Sequence, residues 1–208
     1  MAGSRIAVLG GTFDPPHIGH LVLAECVRWQ FACERVLLVP AGDPYRKTGT
    51  DTAENRRAGV AAARTVTPGA TRLEMVRLAI AANPHFEADG REVARPGPSY
   101  TVETLRELRA EGHEEIVLVL GSDAVADLPN WREPDEIRRL ARIVVADKEP
   151  GAGTGGSERV EMPLLRISST EVRARVAAGQ AIRYLVPEAV REYIEREGLY
   201  RGEEPAKG

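Results

Sequence analysis

Four short apolar runs constrain this chain more than anything else in it: "RIAVL" (5–9), "RVLLVP" (35–40), "EEIVLVLG" (114–121) and "ARIVVAD" (141–147). Each has core-strand length and is rich in β-branched residues. Between them lie stretches with apolar residues at helical spacing: "HIGHLVLAECVRWQF" (17–31), "LEMVRLAIAA" (73–82), which Asn83-Pro84 stops, and Thr101 to Ala110, opening at Ser99 or Thr101. Strands alternating with helices predict an α/β fold, a doubly wound parallel sheet covered by helices on both faces. In such sheets ligands bind beyond the carboxyl ends of the strands, so the loops after Leu9, Val39 and Leu120 are the places to look. Two further helices, "STEVRARVAAG" and "PEAVREYIEREG", make a C-terminal helical segment. "HFEADGREVA" (85–94) carries an Asp-Gly turn signal and reads as a small hairpin or two edge strands. The stretch 47–70 is long for a connection and reads as a lid or binding loop, while Gly-rich 148–159 reads as a surface loop.

At 208 residues the chain suits one sizeable domain, 1–208. A net charge of -3 provides no global basic field for nucleic acid, so an anionic ligand must be met by local charge. No apolar stretch approaches the ~18–20 residues that span a bilayer, and the N-terminal run is too short for a signal peptide. Cys26 and Cys33 have neither a zinc spacing nor a disulfide pattern and are expected to be reduced thiols. The expectation is a cytoplasmic protein with no membrane and no nucleic-acid partner.

Residues 8–20, "VLGGTFDPPHIGH", follow the first apolar run and end in two histidines three apart. A tight turn, half of a metal site and a cradle for phosphates would all use such residues. Gly10 and Gly11 let the backbone pass close to a ligand, and Pro15 and Pro16 stiffen the approach. A helix starting near His17 presents unpaired N–H groups and the positive end of its dipole, for which an anion is the natural occupant. His17 and His20 then share a face in the first turn. Zinc needs three or four ligands, and the other histidines, His85 and His113, sit in unrelated polar segments. No metal is therefore expected on protein side chains. On these residues alone a plain turn with surface histidines stays open.

The segment "GGTFDPPHIGH" resembles the first signature of the nucleotidylyltransferase superfamily, and "ISSTEVR" (167–173) resembles its second, I-S-S-T-x-x-R. The second motif also makes sense by itself: Ser168, Ser169 and Thr170 suit the start of a helix, and Arg173 can fork two phosphate oxygens. Three more segments resemble the bacterial nicotinate mononucleotide adenylyltransferases: "GPSYTVETL" (97–105), "GSDAVADLPNW" (121–131) and "YLVPEAVREYIEREGLY" (184–200). Together the matches run from residue 5 to residue 200.

The resemblance implies a Rossmann-like core at 5–165, with the second motif and terminal helices at 166–200. It implies adenylyl transfer from ATP to nicotinate mononucleotide, with Mg2+ carried by the ATP phosphates. His17, His20, Lys47 and Arg173 are the implied catalytic residues. Gly10, Gly11, Thr12, Gly121, Asp123, Ile167, Ser168 and Ser169 join His17, His20 and Arg173 around ATP. Thr12, Phe13, Asp14, Lys47, Tyr100, Thr101 and Trp131 surround the mononucleotide, with Trp131 stacked on the pyridine ring. Tyr100 and Thr101 offer backbone N–H groups and a hydroxyl to its carboxylate.

The chain departs from the family pattern after the second strand. The family commonly reads P-P-H-K, whereas this chain has "DPYRK" (43–47), so Lys47 keeps the cation and Arg46 stands where histidine is usual. The following loop is longer than the family's and holds Arg56, Arg57 and Arg64. With the terminal amphipathic helix it is a candidate contact surface for a homo-oligomer. Another phosphate acceptor such as phosphopantetheine, and a nucleotide-binding module without catalysis, are the competing readings. A tRNA synthetase, which shares the HIGH-type motif, would need an anticodon-binding domain for which this chain has no room.

Overall fold

The computed structural model describes residues 5–48, 65–146 and 158–201. Arg56, Arg57 and Arg64, and most of the Gly-rich stretch, lie outside these residues. Six strands form one sheet: β1 (Arg5–Gly11), β2 (Arg35–Pro40), β3 (Phe86–Ala88), β4 (Glu115–Gly121), β5 (Arg142–Ala146) and β6 (Glu158–Arg159). Their spatial order is β3-β2-β1-β4-β5-β6, and every neighbouring pair is parallel. This is the doubly wound order, and the direction of winding reverses between β1 and β4. Leu9 pairs with Val119 and Gly11 with Pro40, so β1, β2 and β4 end close together at one edge.

The strand sequences alternate with period two, and the two faces sort accordingly. Ala7 and Leu9, Val36 and Leu38, and Val117 and Val119 pack on one face. Ile6 and Val8, Leu37 and Val39, and Ile116 and Leu118 pack on the other. Burial on both faces is why these runs read as continuous apolar stretches. The first face is covered by α1 (Ile18–Gln30) through Ala24 and Val27, and by α3 (Gly69–Ile80) through Val76 and Ile80. The second is covered by α5 (Thr101–Ala110) through Val102, Leu105 and Leu108, and by α7 (Pro134–Leu140) through Ile137 and Leu140. Short helices α2 (Tyr45–Thr48), α4 (Arg91–Ala94) and α6 (Ser122–Asp127) fill the connections, and a 3-10 turn at Leu128–Asn130 follows α6.

The C-terminal segment brings α8 (Ser169–Ala177) and α9 (Glu188–Arg196) onto the outer side of α3. Val172 of α8 and Val190 and Ile194 of α9 pack with Met75 in a third cluster. The apolar face of α9 is thus covered from within the chain.

Several elements differ from what the residue pattern predicts. The Asp-Gly signal at 89–90 does not close a hairpin: Phe86–Ala88 adds a parallel strand to β2, and Asp89 then turns the chain into α4 by accepting the Arg91 N–H at 2.9 Å. Helix α3 starts at Gly69, before the apolar periodicity becomes visible at Leu73. The two-residue strand β6 is too short for any pattern to show.

The loop after β2 is held against the region from α4 to α5 by close backbone packing. Ser99 Oγ accepts the Gly42 N–H at 2.9 Å, and a Cβ on Gly42 would overlap the Glu92 carbonyl oxygen. Gly42→Ala should therefore destabilise the protein by about 2–3 kcal/mol, as overpacked sites do, measured as a lowered urea midpoint. The Glu92 carboxyl is buried and accepts from Thr104 Oγ1 at 2.6 Å. Burial pushes its pKa above the ordinary carboxylate value, against the lowering by Thr104, Arg95 and Ser99. The folded state then binds the Glu92 proton more tightly than the unfolded chain, so this group costs stability increasingly as pH rises from about 4.3 towards its raised value. Glu92→Gln keeps an acceptor for Thr104 without the charge. Its thermal midpoint relative to wild type should rise between pH 5 and pH 8.

Candidate active site

A cleft of about 520 Å³ opens above the reversal point between β1 and β4. Gly10 and Gly11 at the end of β1, Gly121 at the end of β4 and Ala146 at the end of β5 form its floor. Of the residues singled out from the sequence, Thr12, Phe13, Asp14, His17, His20, Lys47, Asp123, Trp131, Ile167, Ser168, Ser169 and Arg173 also line it. Tyr100 and Thr101 do not. Tyr100 instead packs against the Tyr45 ring, with centroids 5.2 Å apart, and lies under the Arg132 guanidinium at 4.7 Å. Thr101 is the first residue of α5.

The glycines have distinct reasons. A Cβ on Gly10 or Gly121 would meet no protein atom within 4 Å, so a side chain there would project into the cleft and exclude a ligand. A Cβ on Gly11 would sit 3.1 Å from the Phe13 ring, and one on Gly19 would sit 3.1 Å from the His17 ring. The glycine inside H-x-G-H therefore leaves room for the first histidine. Phe13 has φ 49°, a left-handed conformation that a bulky residue holds only when its surroundings fix it. Its ring is buried and meets His20 edge-on with centroids 5.0 Å apart.

His17 is the N-cap of α1, and its ring stacks on that of His20 with centroids 3.7 Å apart. The His17 backbone N–H donates to His20 Nδ1 at 3.1 Å. With Nδ1 accepting, a neutral His20 carries its proton on Nε2, which makes that nitrogen a donor. The sequence suggests that the first turn of α1 offers its unpaired amides to an anion, and the structure trims that number. The Ile18 N–H donates to the Leu185 carbonyl at 2.9 Å, and the His20 N–H to the His17 carbonyl at 2.9 Å. The Leu185 contact comes from a distant segment, so no local pattern announces it.

The loop from Thr12 to His17 is held from two directions. On one side the guanidinium of Arg72, 1% exposed, donates to three backbone carbonyls: Thr12 at 2.8 Å, Gly42 at 3.0 Å and Thr67 at 2.7 Å. On the other side Arg173 donates to the Asp14 carbonyl at 2.7 Å, and Ser169 Oγ to the Pro15 carbonyl at 2.9 Å. Ser168 caps α8 by accepting the Glu171 N–H at 3.1 Å. The Tyr200 hydroxyl donates to the buried Asp14 carboxylate at 2.8 Å. Burial, and then the Asp14 charge, push the Tyr200 phenol above its ordinary pKa, so it remains a donor. Arg72 carries no sequence signal for this role, and Tyr200, which closes the terminal segment 184–200, carries none that points to Asp14.

The facing wall is built from the segment after β4 and from α2. Asp123 lies in the first turn of α6. The Trp131 indole N–H donates to Asp127 at 3.1 Å, and the same carboxylate pairs with Arg46 of α2. Lys47 follows on the same turn. Met162, Pro163, Leu164 and Leu165 supply an apolar wall that residue types alone did not single out. Cys33 lies away from the cleft, and burial pushes its thiol up to about 11, which keeps it inert. Among the described residues no three His, Cys, Asp or Glu side chains are grouped to hold a metal ion, and no helix is long and apolar enough to cross a membrane.

Residues 8–175 match the cytidylyltransferase-like family. A protein of Roseiflexus sp. (strain RS-1) named "Probable nicotinate-nucleotide adenylyltransferase" is 46% identical over 214 residues, covering 97% of this chain and 100% of its own. A protein of Thermomicrobium roseum with the same name is 42% identical over 212 residues, covering 95% and 92%. The fold is shared with Plasmodium falciparum nicotinic acid mononucleotide adenylyltransferase complexed with NaAD, at a TM-score of 0.71 and 17% identity, covering 95% of this chain and 97% of that one.

Arg72→Met keeps the length of the side chain and removes every donor, leaving the Thr12, Gly42 and Thr67 carbonyls short of a partner. Unfolding by urea should show a loss of about 3 kcal/mol or more, with Arg72→Lys intermediate because an ammonium cannot reach all three.

Proposed function

The chain belongs to the cytidylyltransferase-like family and, within it, to the nicotinate-nucleotide adenylyltransferases, and on that premise we propose that it transfers the adenylyl group of ATP to nicotinate mononucleotide. The products are nicotinate adenine dinucleotide, a precursor of NAD, and pyrophosphate. The observation that carries this reading is the convergence of H-x-G-H, I-S-S-T-x-x-R, Lys47 and Trp131 on one cleft in a chain so similar to those relatives.

The chemistry needs no side-chain nucleophile. An oxygen of the mononucleotide phosphate attacks the α-phosphorus of ATP in line, the bond from that phosphorus to the β-phosphate oxygen breaks, and pyrophosphate leaves with the electron pair. Catalysis is then positioning, with stabilisation of negative charge on the transferring and departing oxygens. In this reading Gly10, Gly11 and Thr12 form the floor under the phosphates. His17 binds beside His20, whose Nε2 donor meets the α-phosphate in the transition state. Arg173 and the start of α8 with Ser168 and Ser169 hold the departing pyrophosphate. Magnesium, carried by the ATP phosphates, would lower the charge that the histidines, Arg173 and the start of α8 have to meet. Gly121, Asp123 and Ile167 receive the adenosine, against the apolar wall at 162–165.

Lys47 meets the acceptor phosphate and Trp131 stacks on the pyridine ring, with Thr12, Phe13 and Asp14 closing the space between the substrates. Tyr100 and Thr101 lie outside the cleft lining, at the start of α5 near Trp131, and in this reading their amides meet the carboxylate where the ring projects past Trp131. A cytoplasmic location goes with this reading.

Pyrophosphate release from ATP and magnesium, with nicotinate mononucleotide, nicotinamide mononucleotide or phosphopantetheine offered in parallel, tests the assignment. The nicotinate form should give the highest kcat/KM. His20→Ala should lower kcat by about 10²–10³-fold, as loss of one transition-state donor does. Turnover with phosphopantetheine alone would overturn the acceptor, and an active His20→Ala protein would overturn the role of that ring.

A further inference from the structure

At 43–47 the chain reads DPYRK, with Arg46 directly before Lys47 on α2. In the structure the Arg46 guanidinium pairs with Asp127, side chains that are only 21% and 27% exposed. The same Asp127 oxygen, Oδ2, accepts the indole N–H of Trp131 at 3.1 Å, while Oδ1 accepts from Asn130 Nδ2 at 3.1 Å. One carboxylate thus joins α2 to the turn that ends in Trp131. Both ends of the join are anchored. Tyr45, next to Arg46, is buried against Tyr100, and Leu128, next to Asp127, is buried in the second core face. An indole held only by the packing of its edge could tilt within a half-open cleft. One whose N–H is fixed to an ion-paired carboxylate has its ring plane set.

We propose that Arg46 is a positioning residue for Trp131: through Asp127 it fixes the plane on which the pyridine ring of the acceptor stacks. The guanidinium acts on the mononucleotide through the indole, while adjacent Lys47 is the cation that meets its phosphate. The orientation that this contact gives Trp131 exists before any substrate arrives. The proposal rests on the reading of the acceptor given above.

Two tryptophans are present, and the other, Trp29, is 72% exposed at the far end of α1, so Trp29→Phe makes Trp131 the sole emitter without touching the cleft. In that background, anisotropy decay of the ligand-free protein should show added nanosecond motion of the indole in Arg46→Ala and in Asp127→Ala, with Arg46→Lys close to wild type. Each Ala variant should raise KM and the quenching Kd for nicotinate mononucleotide about tenfold, with KM for ATP unchanged, and the double variant should be no worse than the weaker single one. Far-UV circular dichroism confirms that the variants fold. Multiplicative losses in the double variant with an immobile indole would mean that Arg46 touches the mononucleotide itself, and would overturn the proposal. So would constants unmoved by either substitution. A wild-type protein that neither turns over nor binds nicotinate mononucleotide would overturn the acceptor assignment, while the ligand-free anisotropy would still decide the coupling between Arg46 and Trp131.

Discussion

A guanidinium that is almost completely out of water must have its N–H groups met, and Arg72 meets three carbonyls from three separate stretches of chain. One lies in the loop after β1, one in the loop after β2 and one in the approach to α3. Backbone carbonyls are fixed acceptors, so this arrangement sets the spacing of the loops rather than merely adding attraction between them. Parallel pairing delivers β1 and β2 to the same edge of the sheet, but pairing alone leaves the loops beyond the last hydrogen bond undetermined. Arg72 supplies that determination from beneath the cleft, with Thr12 on its floor and Gly42 five residues before Lys47. A core arginine here does for the loops what the ladder of hydrogen bonds does for the strands.

The second motif completes the same loop from the opposite side. Read as a sequence, I-S-S-T-x-x-R consists of residues that bind phosphate. In the structure Ser168 caps α8, Ser169 is bonded to Pro15, and Arg173 is bonded to the Asp14 carbonyl. The two motifs are thus mechanically joined, and this side of the cleft is a composite of segments far apart in the chain. This joint also accounts for the C-terminal segment. Helix α9 packs on α3 and delivers Tyr200 to Asp14, and the stretch before it delivers the Leu185 carbonyl to the first amide of α1. The terminal helices do not extend the sheet; they hold the far side of its first loop.

What could be read from the sequence divides along the range of the interactions. The central strands were legible because burial on both faces leaves an unbroken apolar run, and α1, α5, α8 and α9 because their apolar periodicity or their start signals are local. The cleft was legible through its glycines and histidines, whose spacing reflects one turn of backbone. β6 was not, being too short to carry a pattern; β3 is an edge strand within the stretch read as a hairpin or two edge strands, and there Asp89-Gly90 was misleading because an Asp-Gly pair serves a helix start as readily as a hairpin. Arg72 and Tyr200 were illegible for a different reason. Their partners are backbone carbonyls and a carboxylate that only the tertiary fold brings to them, and a sequence shows an arginine and a tyrosine on amphipathic ground.

The departure at Arg46 shows the same logic at a single position. By residue type alone, a guanidinium beside a lysine puts two positive charges side by side on α2. The fold converts that charge into a tether, because Asp127 lies within reach and is itself committed to an indole. A guanidinium can hold a carboxylate from one side while that carboxylate still accepts from another donor, since a carboxylate offers two oxygens and about four lone-pair directions. A histidine at this place would reach the same carboxylate with one nitrogen and a charge that depends on pH. In the structure Arg46 is committed to Asp127, and Lys47 is the residue of α2 that lines the cleft.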